Sequence, residues 1–384
     1  MYINGEWRTD GPTFPVFNPA TGQEIGQVAD GTDRDAVRAI EAAEAALPAW
    51  MAETAYVRSG HLYRAHHLML SQQRELAELM TQEQGKPLKA AMNEVKYAAD
   101  FLLWFAEEAK RVYGETIPSA RSDQRFLVQK QPIGVVAAVT PWNYPISMLT
   151  RKLGPALAAG CTVVLKPAES TPLCAIAVFN ILEEAGFPAG VANLVTASDP
   201  KPIGDVFCTH PVVRKLTFTG STAVGTHLAQ ASAPQLKRIS MELGGHAPFI
   251  VYDDADPVHA AKGVSLVKFL NTGQACISPN RIFVQRRILE PFLETLKSRV
   301  DALRAGDGMD PANGSGPLIN EAAVEKVDRQ VRDAIDKGAT LLAGGARLLD
   351  NGLEKGCFYS ATLLTDVAPD MLIYRADTFR PAAA

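Results

Sequence analysis

The sequence has few of the features that mark several protein classes. Its five cysteines (Cys161, Cys174, Cys208, Cys276, Cys357) form no CxxC pair and are odd in number. Such a set argues against a disulfide framework and suits a thiol-reducing compartment, here expected to be the cytoplasm. No apolar run approaches the length that a bilayer requires. The longest, such as the stretch from Gly134 to Val139, are strand-length and bounded by turn residues. The N-terminal MYINGEWRTDG is polar from the start and lacks the charged-then-apolar order of a signal peptide. An excess of one charge is missing too. The net charge is −4, Lys and Arg are scattered, and the densest basic group is Arg281, Arg286 and Arg287. A clustered basic face for phosphate backbones is therefore absent, so neither nucleic acid nor membrane is expected as a partner. No internal repeat or low-complexity tract occurs, and no metal site is expected.

What remains is the composition of an ordinary globular protein, 47% hydrophobic and 21% charged with 29 glycines. At 384 residues the chain exceeds one ordinary core, so two domains are expected. Residues 1 to 30 read as short strands and turns, and Thr32 is a candidate N-cap for an amphipathic helix carrying Val37, Ile40 and Leu47. Helices continue to about Tyr113. Residues 121 to 131 then alternate polar and apolar like an extended arm. From Ile133 the pattern becomes apolar strand then helix, repeated: GVVAAVT, MLTRKLGPALAAG, CTVVLKP, TPLCAIAVFNILEEAG, VANLVTA, KLTFTG. Strands apolar on both faces and joined by helices imply a parallel sheet covered on both sides, the usual frame of a nucleotide site. A second set begins after Gly244 with APFIVYDDA, an expected helix through FLNTGQACI, and RIFVQ.

Several residues have chemical potential. FTGSTAVG places Gly220 at a strand end and Gly225 in the first turns of a helix, a junction whose free N–H groups and positive end suit a pyrophosphate. Alone, such a turn is weak evidence. In LKPAES, Lys166 and Glu169 can bond ribose hydroxyls, although by themselves they make an ordinary surface ion pair. A carboxylate there repels a ribose 2′-phosphate, which favours NAD and makes NADP the less favoured cofactor. TPWNYP sets Asn143 between Pro141 and Pro145, which restrict the backbone around a candidate amide donor. Cys276, in a polar run with Asn271, Thr272, Gly273 and Gln274, is a candidate thiol nucleophile. Glu242, between Met241 and Leu243, is a candidate base if burial raises its pKa.

Taken together, MELGGHAP, FLNTGQACISPNRIFV, TPWNYP, LKPAES and FTGSTAVG resemble the signature set of the NAD(P)-dependent aldehyde dehydrogenase superfamily, from MYINGEW to about Phe379. The resemblance implies an α/β fold. A Rossmann-type cofactor domain would span residues 1–120 and 133–243, a bridging and oligomerisation arm 121–132, and an α/β catalytic domain, incomplete at the C-terminus, 244–384. It implies Cys276 as nucleophile, Glu242 as hydrolytic base and Asn143 as oxyanion donor. The cofactor would lie against Thr140, Pro141, Trp142, Lys166, Glu169, Gly220, Ser221, Gly225, Leu243, Gly244, Asp377 and Phe379. Tyr144, Met148, Arg151 and Leu270 match positions that line the substrate tunnel. Arg151 coincides with an arginine that succinate-semialdehyde dehydrogenases use to grip the substrate carboxylate, whereas Leu270 stands where several of them carry a second arginine. Family members are homodimers or homotetramers acting on small-molecule aldehydes.

The match breaks at the end. The family's EETFGPV reads ADTFRPAAA here and the chain stops, so exposed apolar surface on the catalytic domain and an unpaired edge for the arm are expected. Two alternatives therefore accompany aldehyde oxidation: an impaired homologue that at most binds nucleotide, and a CoA-acylating enzyme, against which Glu242 argues.

Overall fold

The computed structural model describes residues 1–384. The chain divides into two compact units, one built from Met1–Val16, Gly26–Leu76 and Met92–Glu242, the other from Phe17–Ile25, Ala77–Ala91 and Leu243–Ala384. Two short segments, 17–25 and 77–91, thus belong with the C-terminal unit.

The first unit is organised by a seven-stranded sheet. In spatial order its strands are Arg238–Glu242, Val213–Thr219, Val135–Val139, Thr162–Lys166, Ala192–Leu194, Tyr2–Ile3 and Glu6–Trp7. The first five run parallel, while Tyr2–Ile3 is antiparallel to both neighbours. Thr162–Lys166 is buried at every position and Val135–Val139 at all but the last. The apolar runs in the sequence are thus the central strands, which must be covered on both faces. Asp33–Ala52 packs on one face with Pro200–Thr209 beside it. Ser147–Ala158 lies against Thr162–Lys166, and Ala55–Ser71 packs on it and on Pro172–Glu184. Thr32 caps Asp33–Ala52 in a capping box with Asp35. An antiparallel ribbon pairs Glu115–Ile117 with Phe126–Val128, and all six residues are exposed.

In chain order the five parallel strands are arranged 3-2-1-4-5. Strand order reverses between Val135–Val139 and Val213–Thr219, and ligands of open α/β sheets bind outside the carboxyl ends of the strands at such a point.

The second unit pairs Phe249–Val251 in parallel with Ile282–Val284, and sets Thr362–Thr365 between Thr340–Ala343 and Ala382–Ala383. Helices Pro257–Lys268 and Leu289–Asp301 pack together, and their core joins Val264, Phe292, Leu296 and Leu363. The C-terminal residues are integrated into this unit. Ala382 and Ala383 pair with Thr362 and Leu363, and the Ile282 N–H donates to the Ala384 oxygen at 2.9 Å. Ile250, Tyr252 and Phe283, all exposed, border an open apolar cleft of about 460 Å³ that reaches Ala384. No helix is long and apolar enough to cross a membrane.

The expected helix through FLNTGQACI does not form. Pro257–Lys268 ends at Lys268, and the chain then passes through three left-handed residues, Asn271 (φ 50°), Thr272 (φ 56°) and Gly273 (φ 72°). Helical spacing of apolar residues could not reveal that the chain reverses there.

Candidate active site

In the first unit, the residues singled out in the sequence gather at one edge of the sheet. Val139 is in register with Lys166 and Phe218, and Thr219 with Glu242. Four strand ends therefore present Thr140, Lys166, Gly220 and Glu242 along a single line, which contains the point of strand reversal. The Thr140 N–H donates to the Lys166 oxygen and the Gly220 N–H to the Glu242 oxygen, both at 3.1 Å, so the turns stay tied to their neighbours.

This edge suits a dinucleotide. Ser221 caps helix Thr222–Ser232, accepting from the Val224 N–H, and Gly225 is buried in its first turns. A Cβ on Gly220 would lie 2.4 Å from the Phe218 ring, so only glycine makes this turn without displacing the ring. Lys166 is buried, and its Nζ donates to the Pro167 oxygen at 2.8 Å and to Glu169 Oε2 at 3.1 Å. Burial pushes its pKa down against the pull of Glu169. Glu169 is exposed, leaving its other oxygen at the surface. Thr140 is buried with a hydroxyl that has no protein partner, a group awaiting an acceptor or donor.

Asn143 is buried in the loop before helix Ser147–Ala158, and Pro141, Trp142 and Tyr144 beside it are half-buried. Sequence reasoning missed what holds this loop. Glu94, buried on helix Leu88–Ala109, accepts from the N–H groups of Ile146 and Ser147 at 3.1 Å each and from the Ser147 hydroxyl at 3.3 Å. A carboxylate there satisfies orphan donors and complements the positive helix end. Nothing in the sequence marks Glu94, since its partners lie 52 and 53 residues away. Lys152 was also missed. It is buried, donates to Thr217 Oγ1 at 3.0 Å, and is pushed down to about 8 by burial, with Glu242 opposing that shift.

One sequence expectation changes here. Glu242 is exposed at the end of the sheet's edge strand, so the burial invoked for it between Met241 and Leu243 is lacking. Leu243 and Gly244, which follow, are exposed as well. Arg151 is exposed and has no carboxylate within ion-pair distance; its guanidinium lies 5.9 Å from the Phe101 ring centroid. No ion pair with a nearby acid therefore accounts for this arginine. Phe101 is itself stacked edge-on against Tyr97 at 4.7 Å, and Met148 is half-buried on the same helix as Arg151.

In the second unit, Cys276 is exposed, whereas Cys161, Cys174 and Cys208 are buried and Cys357 half-buried. The loop carrying it is firmly held. Thr272 Oγ1 donates to the Gly316 oxygen and accepts from the Gly316 N–H. The Gln274 amide donates to the Pro317 oxygen and accepts from the Ile319 N–H. Non-glycine residues at positive φ each cost about 1–3 kcal/mol and persist only where the surroundings impose them, often at functional sites. An exposed thiol on such a loop is the arrangement a nucleophile needs. Leu270 is half-buried at the loop's start.

Asp377 and Phe379 lie on a C-terminal segment gripped through its carbonyls. Arg281 donates twice to the Tyr374 oxygen, and Lys326 donates to that of Asp377 at 2.7 Å. Arg380, where the family motif has glycine, is buried, with its Nε donating to the Ala323 oxygen at 3.2 Å and its pKa pushed down by burial to about 10.

The sequence model of the aldehyde dehydrogenase family matches residues 7–384. The glutarate-semialdehyde dehydrogenase of Pseudomonas putida is 49% identical over 384 residues, all of this chain and 78% of that protein. The NADP(+) succinate-semialdehyde dehydrogenase of Escherichia coli is 48% identical over 383 residues, 99% of this chain and 78% of that one. A crystal structure of succinate-semialdehyde dehydrogenase from Burkholderia pseudomallei matches with a TM-score of 0.97 at 48% identity, covering all of this chain and 79% of its own.

Proposed function

The chain belongs to the aldehyde dehydrogenase family, and from that premise we propose that it oxidises a semialdehyde bearing a terminal carboxylate to the dicarboxylate. The observation that carries the substrate class is Arg151, a cation left without an acidic partner beside Phe101. A guanidinium free to form paired bonds suits a carboxylate. The names of two relatives, glutarate- and succinate-semialdehyde dehydrogenase, support the same class.

In this reading the Cys276 thiolate adds to the aldehyde carbon, and the oxyanion is held by the Asn143 amide and the Cys276 N–H, donors typically worth roughly 2.7–4 kcal/mol each. A bound nicotinamide dinucleotide supplies the hydride acceptor, so that the carbon leaves this stage as a thioester on sulfur. Glu242 takes a proton from water, whose oxygen attacks the thioester, and the acid departs as the thiol is restored. Thr140, Lys166, Glu169 and the Ser221–Gly225 helix end would hold the adenosine and pyrophosphate half, and Asp377 with Phe379 the nicotinamide ribose. The coenzyme is NAD(P). The NADP(+) in the E. coli relative's name weighs against NADP as the poorer coenzyme, whereas the exposed Glu169 carboxylate favours NAD. The exposed ribbon of Ile117, Phe126, Leu127 and Val128 supports assembly into homodimers or homotetramers.

The test is NAD(P)H production with succinate semialdehyde, glutarate semialdehyde and propanal, with Cys276→Ala as control. Cysteine-dependent turnover that favours the two semialdehydes, and loses that preference in Arg151→Ala, is the expected result. An unchanged preference in Arg151→Ala overturns the substrate assignment. No turnover by a folded, nucleotide-binding protein overturns the activity, and acid formed only when CoA is present points to acyl transfer.

A further inference from the structure

Lys268 is the least expected ionisable group in the second unit. It sits at the C-terminal end of helix Pro257–Lys268 with no exposed surface. A buried ammonium is costly unless paired, yet no carboxylate lies within ion-pair distance of it. Its Nζ instead donates to Asn280 Oδ1 at 2.9 Å. Asn280 is buried as well, and its Nδ2 donates to Asp377 Oδ1 at 2.7 Å and to the Gly245 oxygen at 3.5 Å.

The chemistry of the three groups gives this chain a direction. An ammonium only donates, so it selects the oxygen end of the Asn280 amide. The NH₂ end is then forced toward Asp377. Without the ammonium, the amide loses the donor that fixes its oxygen end and is held only through its NH₂ end, by Asp377 and the Gly245 oxygen. Asp377 Oδ2 receives no hydrogen bond from the protein, and the residue is half-exposed. Its backbone is braced by Lys326 on its own oxygen and by Gln330 Nε2 on the oxygen of Ala376 at 3.4 Å. One carboxylate oxygen is thus anchored and the other is left without a protein partner on a half-exposed residue.

We propose that Lys268 is a positioning residue which, through the Asn280 amide, aims the Asp377 carboxylate at the nicotinamide-side ribose of the coenzyme. The assignment of Asp377 to that ribose rests on the functional reading above. A buried cation whose charge reaches the surface through one oriented amide is well suited to hold an acceptor for a ribose hydroxyl at a fixed angle.

The test uses equilibrium binding, without turnover, with the pH kept below about 7, the value to which burial pushes Lys268, so that its ammonium is charged. Dissociation constants of NADH and NADPH are measured by fluorescence for the full chain. ADP and 2′,5′-ADP, which lack the nicotinamide ribose, serve as probes of the other half, and melting temperature is recorded alongside. Lys268→Met is expected to weaken NAD(P)H binding about tenfold or more, the scale of one charge-assisted hydrogen bond, while the two shorter nucleotides change less than about twofold on the same scale. In combination with Asp377→Ala, Lys268→Met is expected to add nothing further. Should Lys268→Met fail to fold, Asn280→Ala cuts the same link, and the half-exposed Asp377→Asn probes its outer end. Unchanged NAD(P)H binding, equal weakening of the short nucleotides, or independent effects of Lys268→Met and Asp377→Ala overturn the inference. A wild-type chain that binds ADP but gains nothing from the nicotinamide half refutes the ribose assignment itself.

Discussion

Glu94 is the residue whose removal should most disturb the Asn143 loop, through the hydrogen bonds it accepts where the loop meets the helix. Its carboxylate takes three hydrogen bonds, from the N–H groups of Ile146 and Ser147 and from the Ser147 hydroxyl, in a buried setting at the start of helix Ser147–Ala158. Hydrogen bonds to a charged group contribute about 1.5–3 kcal/mol apiece, but those sharing one acceptor are not additive. A carboxylate at a partly buried helix N-terminus contributes up to about 2 kcal/mol. Glu94→Ala leaves the donors buried without an acceptor, so about 3–5 kcal/mol of stability should be lost, against about 1–2 kcal/mol for Glu94→Gln, which keeps an acceptor oxygen. At about 2–4 °C per kcal/mol for a domain of this size, Glu94→Ala should melt roughly 6–20 °C lower. Calorimetry of both variants measures this directly, and kcat/KM should fall more than the melting temperature explains, because Asn143 loses its support. A loss below about 1 kcal/mol for Glu94→Ala, or equal losses for Ala and Gln, would refute the argument that charge at the helix end holds this loop.

Stability should rise with pH between about 7 and 9. Burial pushes Lys268 down to about 7 and Lys152 to about 8, from an ordinary 10.5. In that window the unfolded chain holds more protons than the folded one, so raising the pH favours the folded state, and the penalty is complete once pH falls below the folded values. Urea midpoints at pH 7 and 9 check the sign, and a flat or falling profile contradicts it. Glu169→Gln should shift the ratio of kcat/KM for NADP over NAD upward by about tenfold, since a carboxylate no longer faces the 2′-phosphate; titration with each coenzyme measures the ratio, and no change would remove Glu169 from the adenosine site. Gly273→Ala should cost about 1–2 kcal/mol for the left-handed backbone alone. It should cost more for a Cβ placed 2.3 Å from the Arg380 oxygen. Thermal melting together with the thiol reactivity of Cys276 reports whether the loop shifts.

Much of this protein can be read from the chain alone. The fully apolar runs 135–139 and 162–166 demand cover on both faces, so they dictate a parallel sheet with helices on either side. The segment FTGSTAVG and the Lys166–Glu169 pair mark strand ends whatever the details of packing. Motifs that are local in sequence also single out Cys276, Asn143 and Glu242 as candidates. Tertiary structure alone decided the rest, since those outcomes depend on partners distant in sequence. It showed that Glu242 is exposed at an edge strand, because burial depends on what packs over a strand and not on its immediate neighbours. It reversed the chain at Asn271–Gly273, where Thr272 and Gln274 bond to residues more than 40 positions away. It left Arg151 without an acid, a matter of which side chains the fold brings within reach. It also joined Lys268, Asn280 and Asp377, spread over 110 positions of sequence, into one line of hydrogen bonds from a buried ammonium to a half-exposed carboxylate. Hydrophobic periodicity reports where surface must be buried, whereas the direction of a charge or an amide is set only by the groups the fold places against it.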